Sequence, residues 1–293
     1  MFMGLFYGGL FAILLVGIAA AFMIRLRKKK INQLPYNNPD MFLKNGMRQE
    51  GKKTVAVIGG DAVHGSMSYN FVQDAAKRKG CQEYQFINDG VNGSTAYDVL
   101  QRLDSVIQCK PDFAIILVGF NDASVKIAPD IAEKNAKLRG LSEKPSLILY
   151  EKHLMRIVNK LKAETSANIA LLSIPIAGEN LFSKANKEID QYNETIKKIA
   201  EVTNVTYLPF NEKLKAYLKG KRHTRGRSLK NGSKLYEKAV IERCVYGYSL
   251  DRISHRNGFL LLTDGVHLNS IAGMMAAHQI ELFLKKNDLK AIQ

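Results

Sequence analysis

Five short apolar runs, separated by stretches of helical periodicity, constrain this chain more than any other feature of its sequence. They are Thr54–Ile58, Tyr84–Asn88, Phe113–Val118, Asn168–Ile174 and Val205–Leu208. The third, Phe-Ala-Ile-Ile-Leu-Val, shows no polar alternation, as a parallel strand covered on both faces requires. Between the runs, Ala96, Val99, Leu100, Leu103, Val106 and Ile107 recur at helix spacing, as do Tyr150, Leu154, Ile157, Val158 and Leu161. Further helices are predicted over 184–203 and 270–286. Strands alternating with helices imply right-handed crossovers and a three-layer α/β sandwich around a parallel sheet. Ligands in such sheets bind at the carboxyl ends of the strands.

The 293 residues suffice for one well-buried domain with an appendage. The appendage is predicted at the N-terminus. Phe2–Ile24 carries no charge and, as a helix, would span roughly 30 Å or slightly more, which is enough for a hydrocarbon core. Arg25, Arg27, Lys28, Lys29 and Lys30 follow it directly. A cleaved signal peptide would carry its positive charge before the apolar run, so a single transmembrane anchor is the expectation. The positive-inside tendency places the basic cluster, and hence the large domain, on the cytoplasmic side. Residues 1–30 are thus read as the anchor with its basic flank, 31–53 as a polar linker and 54–293 as the folded domain, with a basic insertion over 213–256.

The formal net charge of +16 favours anionic partners. Lys219, Lys221, Arg222, Arg225, Arg227 and Lys230 lie close together in the segment 213–243. This stretch reads either as a solvated loop and helix face or as a contact for anionic lipid at the membrane. No nucleic-acid partner is expected, because the patch has little aromatic interleaving for stacking on bases. Cys81, Cys109 and Cys244 form no disulfide framework and have no metal-ligand spacing. No HExxH, Walker-type or GxGxxG pattern occurs, so neither a metal nor a cofactor is expected.

Four short segments carry residues suited to chemistry, each just after a predicted strand or in the terminal loop: Gly59–Gly65, Asn88–Gly93, Gly119–Asp122 and Asp264–His267. Asn121 follows the third strand into the crevice above the sheet, where a buried amide needs a hydrogen-bond partner. Asp264 and His267, three residues apart, can meet across a turn. His153, His223, His255 and His278 lack such context and read as structural or surface residues, and His64 lies beside the site without a role in any motif.

In order and spacing, these segments resemble the SGNH/GDSL ester hydrolases over most of residues 54–286. The resemblance implies a flavodoxin-like sandwich and metal-free hydrolysis of a carboxylic ester, with a lipid, an acylated sugar or another acyl ester as substrate. It implies Gly93 and Asn121 as oxyanion donors, and Asp264 as the residue orienting His267. The family's first segment supplies a nucleophilic serine, and here the sequence departs from it. Aligned without a gap, Asp61 takes the serine's place; aligned on Gly60–Asp61, Ala62 does. A carboxylate attacking an ester would form a high-energy anhydride, and Asp61 beside His267 would favour the imidazolium. Three readings follow: hydrolysis through Ser66, Ser68 or water activated by Asp61; a pseudoenzyme that binds an acylated or lipid ligand; or an inactivating substitution in an ordinary esterase. Ser66 is expected rather as a cap of the following helix.

Overall fold

The computed structural model describes residues 17–19, 22, 25, 29, 31–130, 132–133, 145–219, 221 and 232–292. Most of Phe2–Ile24, and Arg222, Arg225, Arg227 and Lys230 of the basic segment, lie outside them. Among the described residues, no helix is long and apolar enough to cross a membrane.

In chain order the elements are α1 (Pro39–Lys44), β1 (Lys53–Gly59), α2 (Asp61–His64), α3 (Phe71–Lys77), β2 (Tyr84–Gly90), α4 (Ala96–Gln108), β3 (Phe113–Leu117), α5 (Phe120–Ile127), α6 (Leu147–Glu164), β4 (Asn168–Leu172), α7 (Lys184–Thr203), β5 (Thr206–Leu208), α8 (Phe210–Lys219), α9 (Gly232–Cys244), α10 (Leu250–Arg256) and α11 (Ser270–Ile292). The strands form one parallel sheet in the order β2-β1-β3-β4-β5, the flavodoxin-like arrangement.

Period-two geometry sends successive side chains of each strand to opposite faces. Val55, Val57, Ile115 and Leu117 join α3, α8 and α11 in one core, whereas Ala56, Ile58, Ala114 and Ile116 join α4, α6 and α7 in the other. Both faces are dry, which is why the strand runs read as continuously apolar. A third, smaller cluster of Met67, Ala239, Val240, Cys244 and Ile253 anchors α9 and α10, with Ile31, Tyr236 and Tyr248 packed against it. All three cysteines are buried and none is in a disulfide.

The segment expected as a linker differs from that expectation. Asn38 caps α1 by accepting from Met41 N at 3.1 Å, Pro39 stands in the first turn, and Phe42 is buried. Asn and Pro at those positions are a helix-start signal as much as a sign of irregular chain. Asn37 meets the edge strand β2 twice, its side chain donating to Phe86 O at 2.8 Å and its carbonyl accepting from Asn88 N at 3.1 Å. The segment therefore covers an otherwise open sheet edge. The basic insertion also begins inside the fold, since Leu214 and Leu218 of α8 belong to the first core.

Ile115 sits fully buried on the central strand. Ile115→Ala should lower stability by about 2–5 kcal/mol, read from urea unfolding; a loss below about 1 kcal/mol would show that the central strand does not carry the core.

Candidate active site

The sheet delivers three loops to one place because its strands end level: Gly59 pairs with Gly90 on one side and with Leu117 on the other. A Cβ on Gly59 would stand 2.1 Å from the Leu117 carbonyl oxygen, so only glycine lets β1 and β3 close here. Asp61 opens the short helix α2 directly above. The β2–α4 loop is fixed by a capping box, in which Thr95 N donates to Asp98 Oδ2 at 2.8 Å and Thr95 Oγ1 accepts from Asp98 N at 3.4 Å. Just before it, Gly93 takes a φ of +74°, a left-handed conformation that turns its N–H toward Asp61. Asn121 stands in the first turn of α5.

These placements converge on one oxygen. Asp61 Oδ2 accepts from Gly93 N at 2.9 Å and from Asn121 Nδ2 at 2.7 Å. The Asn121 amide also donates to Ser94 O at 3.2 Å, so the buried amide has the partners its position requires. Asp61 thus holds the place between the two donors. Ala62, the other candidate, packs partly buried against the first core.

The expectation that Ser66 caps the following helix is corrected, and Ser68 does not cap it either: Asn70 caps α3, its side chain accepting from Gln73 N at 3.0 Å. Ser66 Oγ instead accepts from Asn92 Nδ2 at 3.2 Å, and Ser68 Oγ from Leu268 N at 3.1 Å. Both serines lie in the bend over residues 66–68, and the helix starts only after Asn70, which local propensity does not reveal.

Across the crevice, His267 Nδ1 lies 2.7 Å from Asp264 Oδ2, and Asp264 Oδ1 accepts from the backbone N–H groups of Val266 and His267 at 3.1 and 3.0 Å. Both side chains are buried. Burial opposes charge on each. For Asp264, the His267 charge and these hydrogen bonds overcome burial and hold the pKa below the ordinary carboxylate value. For His267, burial pulls the pKa down, yet the Asp264 carboxylate, its hydrogen bond and the Asp61 charge leave it above 6.5. Tyr236 of α9 stacks on the imidazole, with centroids 5.4 Å apart and planes 29° apart. Burial, then the charges of Asp61 and Asp264, push its hydroxyl up to about 12. A cavity between the strand ends is lined by Asp61 and His267 and by the apolar Leu117, Val118, Ile174 and Pro175.

The frame around this site is not visible in the local sequence pattern. Buried Glu179 accepts from Leu260 N at 2.9 Å, Leu261 N at 2.6 Å and Leu262 N at 3.1 Å, and Gly178 N donates to Gly265 O at 2.7 Å. The β4–α7 loop thereby clamps the loop that carries Asp264 and His267. Arg102 pairs with Asp89 at 3.0 Å and donates to Gly59 O at 2.8 Å and Ser94 Oγ at 3.1 Å, tying the ends of β1 and β2 together. Asp122 accepts from Ala96 N, and its burial raises its pKa to about 7. Only a charged residue in an otherwise apolar or loop context hinted at these roles.

Of the remaining histidines, His64 is buried beside Asp61, and burial lowers its pKa against the pull of that carboxylate. His153 rests against Tyr97, His278 lies 3.6 Å from Glu281, and His255 is exposed. His223 lies outside the described residues. Among the described residues no cluster of three or more His, Cys, Asp or Glu could hold a metal ion.

A sequence model of the GDSL-like Lipase/Acylhydrolase family matches residues 58–229, from the end of β1 past α8. The chain belongs to this family. A curated member, an acetylxylan esterase from Geobacillus stearothermophilus, is 31% identical over 135 residues, which cover 44% of this chain and 57% of the relative. The chain thus spans little more than half the length of that relative. Solved structures share the fold. An acetyl xylan esterase aligns with a TM-score of 0.54 at 20% identity, over 78% of this chain and 97% of its own. The Geobacillus stearothermophilus acetylxylan esterase aligns with a TM-score of 0.55 at 18% identity, over 79% of this chain and 94% of its own. Structures of the latter include forms described as catalytic mutants, in which a serine, a histidine or an aspartate is replaced by alanine.

The position of His267 between two carboxylates has a measurable sign. Its folded pKa lies above the unfolded 6.5, so the stability it contributes is complete below about 6.5 and is lost as pH rises through the folded value. NMR titration of its ring protons should give a midpoint above 6.5 that falls in Asp61→Asn. A midpoint at or below the ordinary value would contradict this electrostatic description.

Proposed function

We propose that this chain carries the family's carboxylic-ester site in a form that turns esters over slowly, because Asp61 stands where a nucleophilic hydroxyl is required. The observation that supports this reading is the pair of hydrogen bonds from Gly93 N and Asn121 Nδ2 to Asp61 Oδ2. Those donors are the groups that would otherwise stabilise the developing charge on an ester's carbonyl oxygen. Loss of one such donor costs about 10²–10³ in rate. A substrate must first displace Asp61 from both, and the carboxylate cannot form a stable acyl intermediate. Asp264 and His267 retain the hydrogen-bonded arrangement of an oriented general base.

The substrate class is a lipid ester, an acylated sugar or a related acyl ester. Similarity to acetylxylan esterases supports esters of small acyl groups. A second reading, ligand binding without turnover, draws on the same observation, since a filled oxyanion site is compatible with binding alone. The uncharged run Phe2–Ile24 and the basic residues after it support a single-pass anchor with the domain on the cytoplasmic side.

The test is the rate on short-chain nitrophenyl esters. Wild type should be slow, and Asp61→Ser should gain at least about 100-fold. That gain should vanish in the double variant with His267→Ala, and only the serine form should be labelled by a serine-reactive phosphonate. An Asp61→Ser protein that folds and shows no gain would defeat the assignment of Asp61 to the nucleophile position.

A further inference from the structure

The same geometry that makes Asp61 unsuited to acyl transfer suits it to attack on saturated carbon. A carboxylate is a competent enzymatic nucleophile when the product is an ordinary ester. Attack on an acyl carbon gives an anhydride, whereas attack on an sp³ carbon gives an alkyl ester. An alkyl ester of Asp61 is the kind of bond that an oxyanion site and an oriented histidine are built to hydrolyse.

We propose that this site hydrolyses small apolar epoxides, with Asp61 as nucleophile and His267 as proton carrier. The proposal goes beyond the carboxylic-ester reading and does not rest on it. In the first step Asp61 Oδ1 attacks an epoxide carbon. The ring C–O bond breaks, and the epoxide oxygen takes the proton of the His267 imidazolium. The product is a hydroxyalkyl ester of Asp61 beside a neutral imidazole. Its carbonyl oxygen is Oδ2, already held by Gly93 N at 2.9 Å and Asn121 Nδ2 at 2.7 Å.

In the second step His267 removes a proton from water, whose oxygen attacks Asp61 Cγ. Negative charge develops on Oδ2, where the two donors stand without having to move. Collapse expels the alkoxide, which takes the proton from His267 and leaves as a glycol. The Asp61 carboxylic acid then returns its proton to His267. Epoxide and water have become glycol, and the carboxylate and imidazolium are restored.

Three observations converge on this chemistry. One carboxylate oxygen is fixed by the oxyanion donors. Asp264 holds His267 at Nδ1, 2.7 Å away, which keeps its other nitrogen for proton transfer. Asp61 and His267 line one cavity whose remaining wall is largely apolar, with Leu117, Val118, Ile174 and Pro175. A small apolar epoxide is favoured by such a wall.

The test uses the purified full chain with styrene oxide as probe. Glycol should form above the buffer background, and Asp61→Asn and Asp61→Ala should lower its rate by at least about 100-fold. With enzyme in excess over substrate in oxygen-18 water, the first turnover should place the heavy oxygen in the peptide containing Asp61 and leave the glycol unlabelled. Absence of glycol, or heavy oxygen in the glycol from the first turnover, overturns the proposal. The nitrophenyl ester gain of Asp61→Ser is a separate readout, so either reading can fail while the other stands.

Discussion

One carboxylate oxygen organises this site. Asp61 Oδ2 receives the Gly93 N–H and the Asn121 amide within 2.9 Å, and each donor is delivered by a different strand end. The level ends of β1, β2 and β3, the missing Cβ of Gly59 and the left-handed Gly93 exist, in physical terms, to bring those groups together. Two charge-assisted hydrogen bonds are individually strong. Here they make the donors the partners of a resident anion and not of an incoming carbonyl.

The charge at Asp61 sets the character of His267 as well. The imidazole is buried between Asp264, which it contacts, and Asp61, whose field reaches it, so its protonated form is favoured despite burial. Tyr236 covers the ring from α9 and keeps water from one face. Glu179, with its three backbone donors, prevents the loop bearing Asp264 and His267 from relaxing away from the sheet. The histidine is therefore held in position, while its protonation is biased away from what a serine nucleophile would need.

Much of this was legible in the sequence, because it depends on local pattern. The unalternating Phe113–Val118 run announced a strand covered on both faces, and the spacing of Asp264 and His267 announced a pair across a turn. Asn121, placed just past a buried strand, implied a partner, although not that the partner would be Asp61. What escaped was whatever depends on distant chain. Glu179 reads as a loop residue until residues 260–262 are brought to it, 81 to 83 positions away. Asn37 and Phe42 looked like part of a linker because the β2 edge they cover is invisible locally. Ser66 resembled a helix cap because the true cap, Asn70, lies only four residues on.

In the resting protein the Asp61 carboxylate takes the hydrogen bonds of both Gly93 N and Asn121 Nδ2. The amide proton of Gly93 reports this directly, since a short hydrogen bond to an anion moves its NMR resonance downfield. A downfield Gly93 amide is expected in the wild type, returning toward the ordinary amide range in Asp61→Ala, with the surrounding β2 resonances unmoved. A Gly93 resonance that is ordinary in the wild type and unchanged by the substitution would contradict it.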